Sequence, residues 1–561
     1  MKQLIECVPN FSEGNDMAVI QQITAVIESV EGVRLLDVDP GKATNRTVVT
    51  FVGEPEPVVQ AAFLAIKKAA ELIDMSLHKG EHPRMGATDV CPLVPVSNIS
   101  MEATVEWARR LGEMVGSELD FPVYLYEEAA NSPQRRNLAD IRAGEYEGLP
   151  EKLKKPEWKP DYGSARFNAR SGATVIGARD FLIAYNVNLN TTSVRRANSV
   201  AFDVREKGRT LREGDPITGK ILTDEHGEPL RSEGACKGVK GIGWFIEEYG
   251  IAQVSMNITN IRQSPLHTVF EACCQSAARH GLRVTGSELV GLVPLSVMID
   301  AGKYFLGKQK RSVGVSSEEI IKIAVKSLGL DELSHFDPRK KIIEYVLEDE
   351  KQSKLVQMSL REFANETASE SPAPGGGSIS AYVGALGISL GTMVANLSSH
   401  KRGWDDRWEE FSGWAEKGQQ IKDALLRLVD EDTRAFNAIM EAFQLPKSND
   451  TEKSARTAAI QSATRYAIET PLAVMRLVSR SFEILKAMVS SGNPNSVTDA
   501  AVGVLCCRAA VQGAWLNVRI NVGGLKDKAF VEAALQEGQS LADSADLAEK
   551  EIMEIVLKNM A

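Results

Sequence analysis

Glu348-Asp349-Glu350-Lys351-Gln352-Ser353-Lys354 is a charged run across which the texture of the chain changes. Before it, short β-branched and apolar runs alternate with amphipathic helical patterns. After it, strand-like alternation disappears and helical periods are nearly continuous. The sequence therefore predicts a multidomain chain in which α+β units precede an all-α bundle. Predicted boundaries are 1–180 and 181–346 for two α+β (α/β sandwich) subdomains, 347–355 for the linker and 356–561 for the bundle.

On the C-terminal side, helical patterns run at about 360–368, 378–399, 406–444, 451–490, 496–521 and 527–559, broken at Pro446 and Gly492–Pro494. Residues 371–400 hold no Asp, Glu, Lys or Arg and imitate a membrane span. Their content is Gly, Ala and Ser, so insertion would gain little, and a buried helix of a soluble bundle is expected. In the helix through Asp423–Phe443, apolar residues fall at 425, 428, 429, 436, 439, 440 and 443. Stepping by three or four leaves one gap, and Asp432 fills it. Asp430 and Glu431 are expected on the polar side. A carboxylate in a core stripe loses hydration, which raises its pKa unless donors compensate. A functional carboxylate and a paired structural one fit that pattern equally. Ser496-x-x-Asp499 reads as a capping box. Asn517 and Asn521 lie one turn apart on an apolar helix, either facing a ligand or bridging helices.

On the N-terminal side, Val33–Asp37 and Thr47–Val52 read as strands, with helices at 15–29, 56–75 and 101–117. Asp37 and Asp39 are expected in the turn after the first strand, where functional and ordinary turn residues both collect. His78-Lys-Gly-Glu-His82-Pro-Arg84-Met-Gly86-Ala-Thr-Asp89 concentrates titratable groups. His78 to His82 spells H-x-x-E-H, a zinc motif that requires a helix. Gly80 weakens a helix by about 1 kcal/mol and Pro83 drives His82 out of the α region, so a loop suited to acid–base work is expected. Asp161–Gly172 is Gly- and Ser-rich with two arginines and two aromatics, as a ligand loop or a plain exposed one is. A strand at Phe181–Leu189 opens the second α+β unit, with helices at 266–280 and 316–328. Gly214–Lys220 imitates a phosphate loop, but Ile221 replaces the metal-binding hydroxyl and Pro216 breaks the loop. Gly238–Gly243 has the wrong glycine order for a dinucleotide loop.

At 561 residues several cores are expected. The net charge of −10 argues against broad nucleic-acid binding. Seven cysteines without C-x-x-C spacing argue against a zinc ribbon and for a reducing cytoplasm. The N-terminus lacks an apolar signal core, so no membrane partner is expected, and with the H-x-x-E-H helix and C-x-x-C spacing both set aside no metal is expected.

Long linear motifs then carry a resemblance. Cys7-Val-Pro-Asn-Phe-Ser-Glu-Gly14, Asn45-Arg-Thr-Val48, Gly80-Glu-His-Pro-Arg-Met-Gly86, Gly177-Ala-Arg-Asp-Phe-Leu-Ile-Ala-Tyr-Asn186 and Gly241-Ile-Gly-Trp244 resemble glutamate formimidoyltransferase. Pro374-Gly-Gly-Gly-Ser378, Leu428-Val-Asp-Glu-Asp432 and Phe436 resemble formimidoyltetrahydrofolate cyclodeaminase. Their order is that of the bifunctional family, with residues about 209–236 resembling an inserted hairpin. The resemblance implies formimino transfer from N-formimino-L-glutamate to tetrahydrofolate, followed by cyclisation to 5,10-methenyltetrahydrofolate with loss of ammonia. The alternative is a transferase fused to a methenyltetrahydrofolate cyclohydrolase-like or non-catalytic assembly bundle. It implies His82 as the transferase acid–base residue and Asp432 as the cyclodeaminase residue. It also implies a folate loop of Gly163, Ser164, Ala165, Arg166, Phe167, Asn168, Ala169, Arg170, Ser171 and Gly172. Asp39, Asn45, Arg46 and Arg84 are expected around the first substrate, with Arg84, Arg166 and Arg170 as carboxylate grips. Gly375, Gly376, Gly377 and Ser378 are expected to approach the flat pterin or simply to start a helix. Polyglutamylated tetrahydrofolate as cosubstrate and a homo-oligomer, such as a ring of dimers, complete the expectation.

Overall fold

The computed structural model describes residues 3–41, 45–80, 83–214, 219–247, 249–347 and 355–560. The chain divides into two compact units, 1–297 with 328–347, and 298–327 with 348–561. His82, the whole charged run at 348–354 and part of the false phosphate loop lie outside the described residues.

The first unit contains two sheets. Strands β1 (Leu4–Cys7), β2 (Asn10–Phe11), β3 (Val33–Gly41), β4 (Arg46–Gly53), β5 (Thr88–Ser97), β6 (Val123–Glu127) and β7 (Thr174–Ala178) make a seven-stranded sheet in the order β1-β4-β2-β5-β7-β6, with β3 added beside β4. β5, β7 and β6 run parallel, while the other pairs are antiparallel. Helices α1 (Met17–Glu28), α2 (Pro55–Leu72) and α3 (Met101–Leu119) cover one face and bury a core that includes Ile23, Phe51, Ile66 and Leu111. A smaller core on the other side joins Tyr124, Tyr126 and Val175 to Ile141 of α4 (Leu138–Arg142) and Leu149 of α5 (Glu145–Lys152). Alternation explains the split: Val123 and Leu125 enter the helix-covered core, and Tyr124 and Tyr126 enter the other.

The second sheet is antiparallel, in the order β11-β8-β10-β9, from β8 (Ile183–Leu189), β9 (Val239–Ile246), β10 (Ile251–Ile258) and β11 (Val284–Val290). Helices α6 (Val194–Val204) and α7 (Leu266–Arg279) cover one face. Residues about 209–236 form a small bridged excursion, with Thr210 opposite Arg231 and Thr223 opposite Pro229. Arg209 pins its base, reaching Asp203 at 2.7 Å, and Asp203 also accepts from Ser276 at 2.7 Å and His280 at 3.0 Å. Helices α8 (Leu295–Lys308) and α9 (Ser317–Leu328) follow, then the short α10 (Pro338–Lys341) and α11 (Ile343–Val346).

The second unit is the helical bundle: α12 (Leu360–Thr367), α13 (Gly376–Ser399), α14 (Trp408–Gln444), α15 (Asp450–Ser491), α16 (Val497–Asn521) and α17 (Lys528–Met560). The segment 298–327 packs with it, since Asn396 Nδ2 donates to Gly314 O at 2.8 Å and Ser412 Oγ accepts from Val313 N at 3.0 Å. α13 is central and touches α14, α15 and α16 through small residues such as Ala381, Gly384 and Gly387. By length and composition α13 and Pro494–Gly524 pass as bilayer spans, yet 61% of the most apolar stretch of α13 is buried in the bundle.

Candidate active sites

In the first unit a cleft of about 780 Å³ lies between the two sheets. Pro83, Tyr126, Glu127, Arg142, Glu145 and Arg179 line it from one side, and Glu206, Lys240 and Asn260 from the other. The carboxyl ends of parallel β6 and β7 open onto it, the usual position for ligands of such sheets.

The stretch around 78–89 is shaped by hydrogen bonds rather than by a helix; residues 78–80 and 83–84 are irregular. Asn45 anchors it. Its Oδ1 accepts from Gly14 N at 3.0 Å, its Nδ2 donates to Lys79 O at 2.9 Å, and its carbonyl lies 2.9 Å from His78 Nε2. Arg84, 8% exposed, is committed within the protein. It reaches Glu145 at 3.0 Å and Glu147 at 2.7 Å, and its Nε donates to His78 Nδ1 at 3.3 Å. The Glu147 hydrogen bond raises the guanidinium pKa and lowers that of Glu147 in return. Arg84 thus orders this loop and has few donors left for a substrate carboxylate. Arg46 donates to Asn10 Oδ1, and burial lowers its pKa despite nearby Asp89 and Asp39. Asp89 is fully buried, accepts from Met85 N at 3.0 Å and pairs with Arg142.

The folate loop expected at 163–172 is stitched to this same stretch. Ala87 N donates to Ser171 O at 2.9 Å, Ala173 N donates to Met85 O at 3.0 Å, and Gly86 bridges Gly172. At Gly172 the backbone is left-handed (φ +67), and a Cβ would sit 2.1 Å from Met85 O, so only glycine fits. Asn168 Oδ1 accepts from Arg170 N and Ser171 N at 3.1 and 3.0 Å, closing the loop. Ser164 Oγ donates to Asp120 O at 3.3 Å. Phe167 stands against Tyr146, rings 5.4 Å apart, and Tyr146 N donates to Arg84 O at 2.9 Å. Arg170 donates to Glu71 O at 2.7 Å, whereas Gly163, Ala165, Arg166 and Ala169 are exposed. Asn45, Arg84 and the loop are therefore tied together through side chains and backbone. Asp37 and Asp39 are not in a turn: β3 continues through both to Gly41, paired with β4, because the apolar run continues at Val38. Asp39 is exposed on that strand and acts on Arg46 electrostatically.

In the bundle, α13 starts at Gly376 with Gly375 as its N-cap, which offers no side chain to the free N–H groups. Asp432 of α14 supplies the missing acceptor. Its Oδ2 accepts from Ser378 N at 2.8 Å and lies 3.1 Å from Ser378 Oγ, which is also 2.9 Å from Val429 O. A Cβ on Gly377 would fall 2.1 Å from Asp432 Oδ1, so the approach requires glycine. Asn517 of α16 packs against Gly376, while Asn521 donates to Ala467 O at 2.8 Å and bridges helices. Burial raises the Asp432 pKa, and the hydrogen bonds from Ser378 pull it back. A carboxyl so placed can take a proton or hold a cation beside the positive helix end.

Three expectations about this unit need correction. Asp430 is buried, not polar-facing; its Oδ1 accepts from Leu355 N at 2.9 Å where the chain enters the bundle. Phe436, Met440 and Phe443 are exposed, because α14 runs about 18 Å past the start of antiparallel α13 and loses that cover. Ser496 makes no side-chain cap, since a 3₁₀ turn over Pro494–Ser496 precedes α16. Sequence reasoning missed Glu127, Arg142, Arg179 and Lys240. No spacing signals them, because strand register and the meeting of two sheets bring them together. Among the described residues no group of three or more His, Cys, Asp or Glu is arranged to hold a metal.

Comparison with known proteins covers the chain in three steps. Residues 4–179 match the formiminotransferase N-terminal subdomain, 184–348 the formiminotransferase domain and 359–540 a formiminotransferase-cyclodeaminase family model. A formimidoyltransferase-cyclodeaminase of Mus musculus is 44% identical over 97% of each chain. A glutamate formimidoyltransferase of Streptococcus pyogenes serotype M1 is 41% identical over 54% of this chain and 94% of its own. A methenyltetrahydrofolate cyclohydrolase of Methylorubrum extorquens is 36% identical over 35% of this chain and 95% of its own.

Proposed function

The chain belongs to the formimidoyltransferase-cyclodeaminase family, and from that premise we propose how its residues divide the two reactions. It is a bifunctional folate enzyme. One activity moves the formimino group from N-formimino-L-glutamate to tetrahydrofolate, its cosubstrate. The other cyclises 5-formiminotetrahydrofolate to 5,10-methenyltetrahydrofolate and releases ammonia. The observation that carries this reading is 44% identity over 97% of both chains with a relative whose name joins the two activities.

Transfer belongs to the first unit. N5 of tetrahydrofolate attacks the formimino carbon, its proton must leave, and the departing glutamate nitrogen must gain one. His82 serves as the shuttle: an imidazole titrating near neutral pH can do both, a contribution of roughly 10²–10⁴ in rate. Its neighbour Pro83 lines the cleft, which supports this role. The loop Gly163–Gly172 seats the folate, with Phe167 and Tyr146 as a stacking surface for flat rings.

Cyclisation belongs to the bundle. N10 attacks the carbon of the protonated formimino group and gives up its proton, the C–N bond to the formimino nitrogen breaks, and that nitrogen, already carrying two protons, takes the third and leaves as ammonia. Asp432 accepts and returns it, and its negative charge steadies the cationic ring that forms. The Gly375–Ser378 turn lets the ligand approach the carboxylate. Liberation of ammonia from purified 5-formiminotetrahydrofolate, faster than the uncatalysed rate, tests this reading; its absence would reject it. The similarity to a methenyltetrahydrofolate cyclohydrolase favours a second reading, in which the bundle hydrolyses the methenyl product. Hydrolysis without deamination would select it.

We further infer a cytoplasmic enzyme that works as a homo-oligomer. Exposed Leu386, Leu397, Leu516 and Ile520 on the bundle support an assembly surface. A monomer by light scattering at assay concentration would reject it.

A further inference from the structure

N-formimino-L-glutamate carries two carboxylates and an amidine, which is protonated and cationic near neutral pH. A site selective for it must offer a carboxylate to the formimino group and cations to the ends. One carboxylate in the cleft answers that description. Glu127 ends β6 with φ +52, a left-handed conformation that a residue with a Cβ avoids. Strand alternation would have sent it after Val123 and Leu125 into the helix-covered core, but it lines the cleft instead. Hydrogen bonds hold that turn: Glu127 N donates to Arg136 O at 3.1 Å and Ala130 N to Glu127 O at 3.1 Å.

The other carboxylates of the cleft are engaged. Glu145 binds Arg84, Glu128 pairs with Arg136, Asp180 lies 3.9 Å from the guanidinium of Arg262, and Glu206 accepts from Gly238 N at 2.9 Å. Glu127 has no ion pair or side-chain hydrogen bond among the described residues. Parallel register sets it beside Ala178, so Arg179 emerges next to it, and Lys240 faces it from the second sheet. Burial and Glu128 raise its pKa, while Arg136, Arg179 and Lys240 lower it. Neither Arg179 nor Lys240 has a carboxylate partner within 4 Å among the described residues.

We propose that Glu127 binds the cationic formimino group of N-formimino-L-glutamate while Arg179 and Lys240 take its carboxylates, so that the cleft selects an amidine over a neutral amide of the same shape. This assignment rests on the transferase reading above. The test uses the full chain, with N-formyl-L-glutamate as the neutral isostere. Glu127→Gln is expected to raise KM for formiminoglutamate tenfold or more, to leave KM for tetrahydrofolate within twofold, and to leave Ki for N-formyl-L-glutamate unchanged or lower. Arg179→Met and Lys240→Met are expected to weaken both glutamate ligands. The retained KM for tetrahydrofolate reports on folding of the first unit, and deamination of 5-formiminotetrahydrofolate by the same preparation reports on the bundle. An unchanged KM in Glu127→Gln overturns the proposal, and so does an equal loss of the neutral isostere, which would mark a structural role. Absence of transfer in the unaltered protein would instead reject the transferase reading, and the assignment with it.

Discussion

On the reading proposed above, the cleft of the first unit and the start of α13 in the second answer similar proton-transfer problems with opposite construction. The cleft gathers side chains from two sheets and distant parts of the sequence, and its charges are numerous and mostly paired. The bundle places one carboxylate against one helix end, with Ser378 as its partner and Gly377 as the gap that admits it. Substrate binding in a distributed site should weaken in steps as its charged groups are removed, even where one shuttle carries the proton. A site resting on one carboxylate should fail at once.

The sharpest way to break that contrast is a crossed pair of variants. Asp432→Asn should lower ammonia release by about 10²–10⁴ while transfer persists, and His82→Ala should do the reverse. Parallel loss of both activities in either variant would show a folding defect and dissolve the comparison. Gel filtration of each variant checks that the assembly is intact.

Behind the cleft, Glu6 of β1 is buried, and its pKa rises to about 7 through desolvation, with Arg179 opposing. Below its ordinary value of 4.5 the carboxyl is protonated whether folded or unfolded. Between there and about 7 the unfolded chain releases a proton that the folded chain keeps, so stability falls as pH rises through that window. A shift of that size corresponds to about 3 kcal/mol above the window. Glu6→Gln should therefore be more stable than the parent at pH 8, and the gap should close below pH 4.5. Denaturant unfolding at both pH values measures it; a gap independent of pH would refute the cause.

How much of this was legible follows from where the signal lies. The linker and the helical periods gave away the change of fold class, because period-2 and period-3.6 patterns are local. Asp432 was legible as a gap in an apolar stripe, yet the same stripe misled about Asp430 and about Phe436, Met440 and Phe443. Periodicity describes a helix face, and only the length of the neighbouring helix says how far that face is covered. The cleft was legible only in its contiguous parts, Asn45, Arg84 and the loop at 163–172. Glu127 and Arg179 are 52 positions apart in sequence, and parallel register alone makes them neighbours. Arg84 reads as a substrate grip in sequence, and three-dimensional proximity to Glu145 and Glu147 changes that reading.

A gentler substitution examines the bundle's dependence on a single group. Gly377→Ala puts a methyl where Asp432 Oδ1 now lies, so the carboxylate must move or the helix start must shift. About a tenfold loss of cyclisation is expected, since small misplacements of a reacting group are costly. The transfer rate should not change. Full retention of cyclisation would mean that the close approach has no part in the chemistry.

The smallest effect is a displaced pH profile. With Asp432 in its proposed role as a carboxylate, cyclisation should fall as pH drops through its raised pKa, above the ordinary aspartate range near 4. Ser378 Oγ stabilises the ionised form, and Ser378→Ala removes that donor while keeping the backbone N–H. The acid limb should therefore move to higher pH, because a hydrogen bond that favours the ionised carboxylate is removed. The plateau rate should hold, since Asp432 remains. A limb that moves to lower pH would reverse the assigned role of the hydroxyl. A lost plateau with an unmoved limb would show that Ser378 positions the ligand instead of tuning the acid.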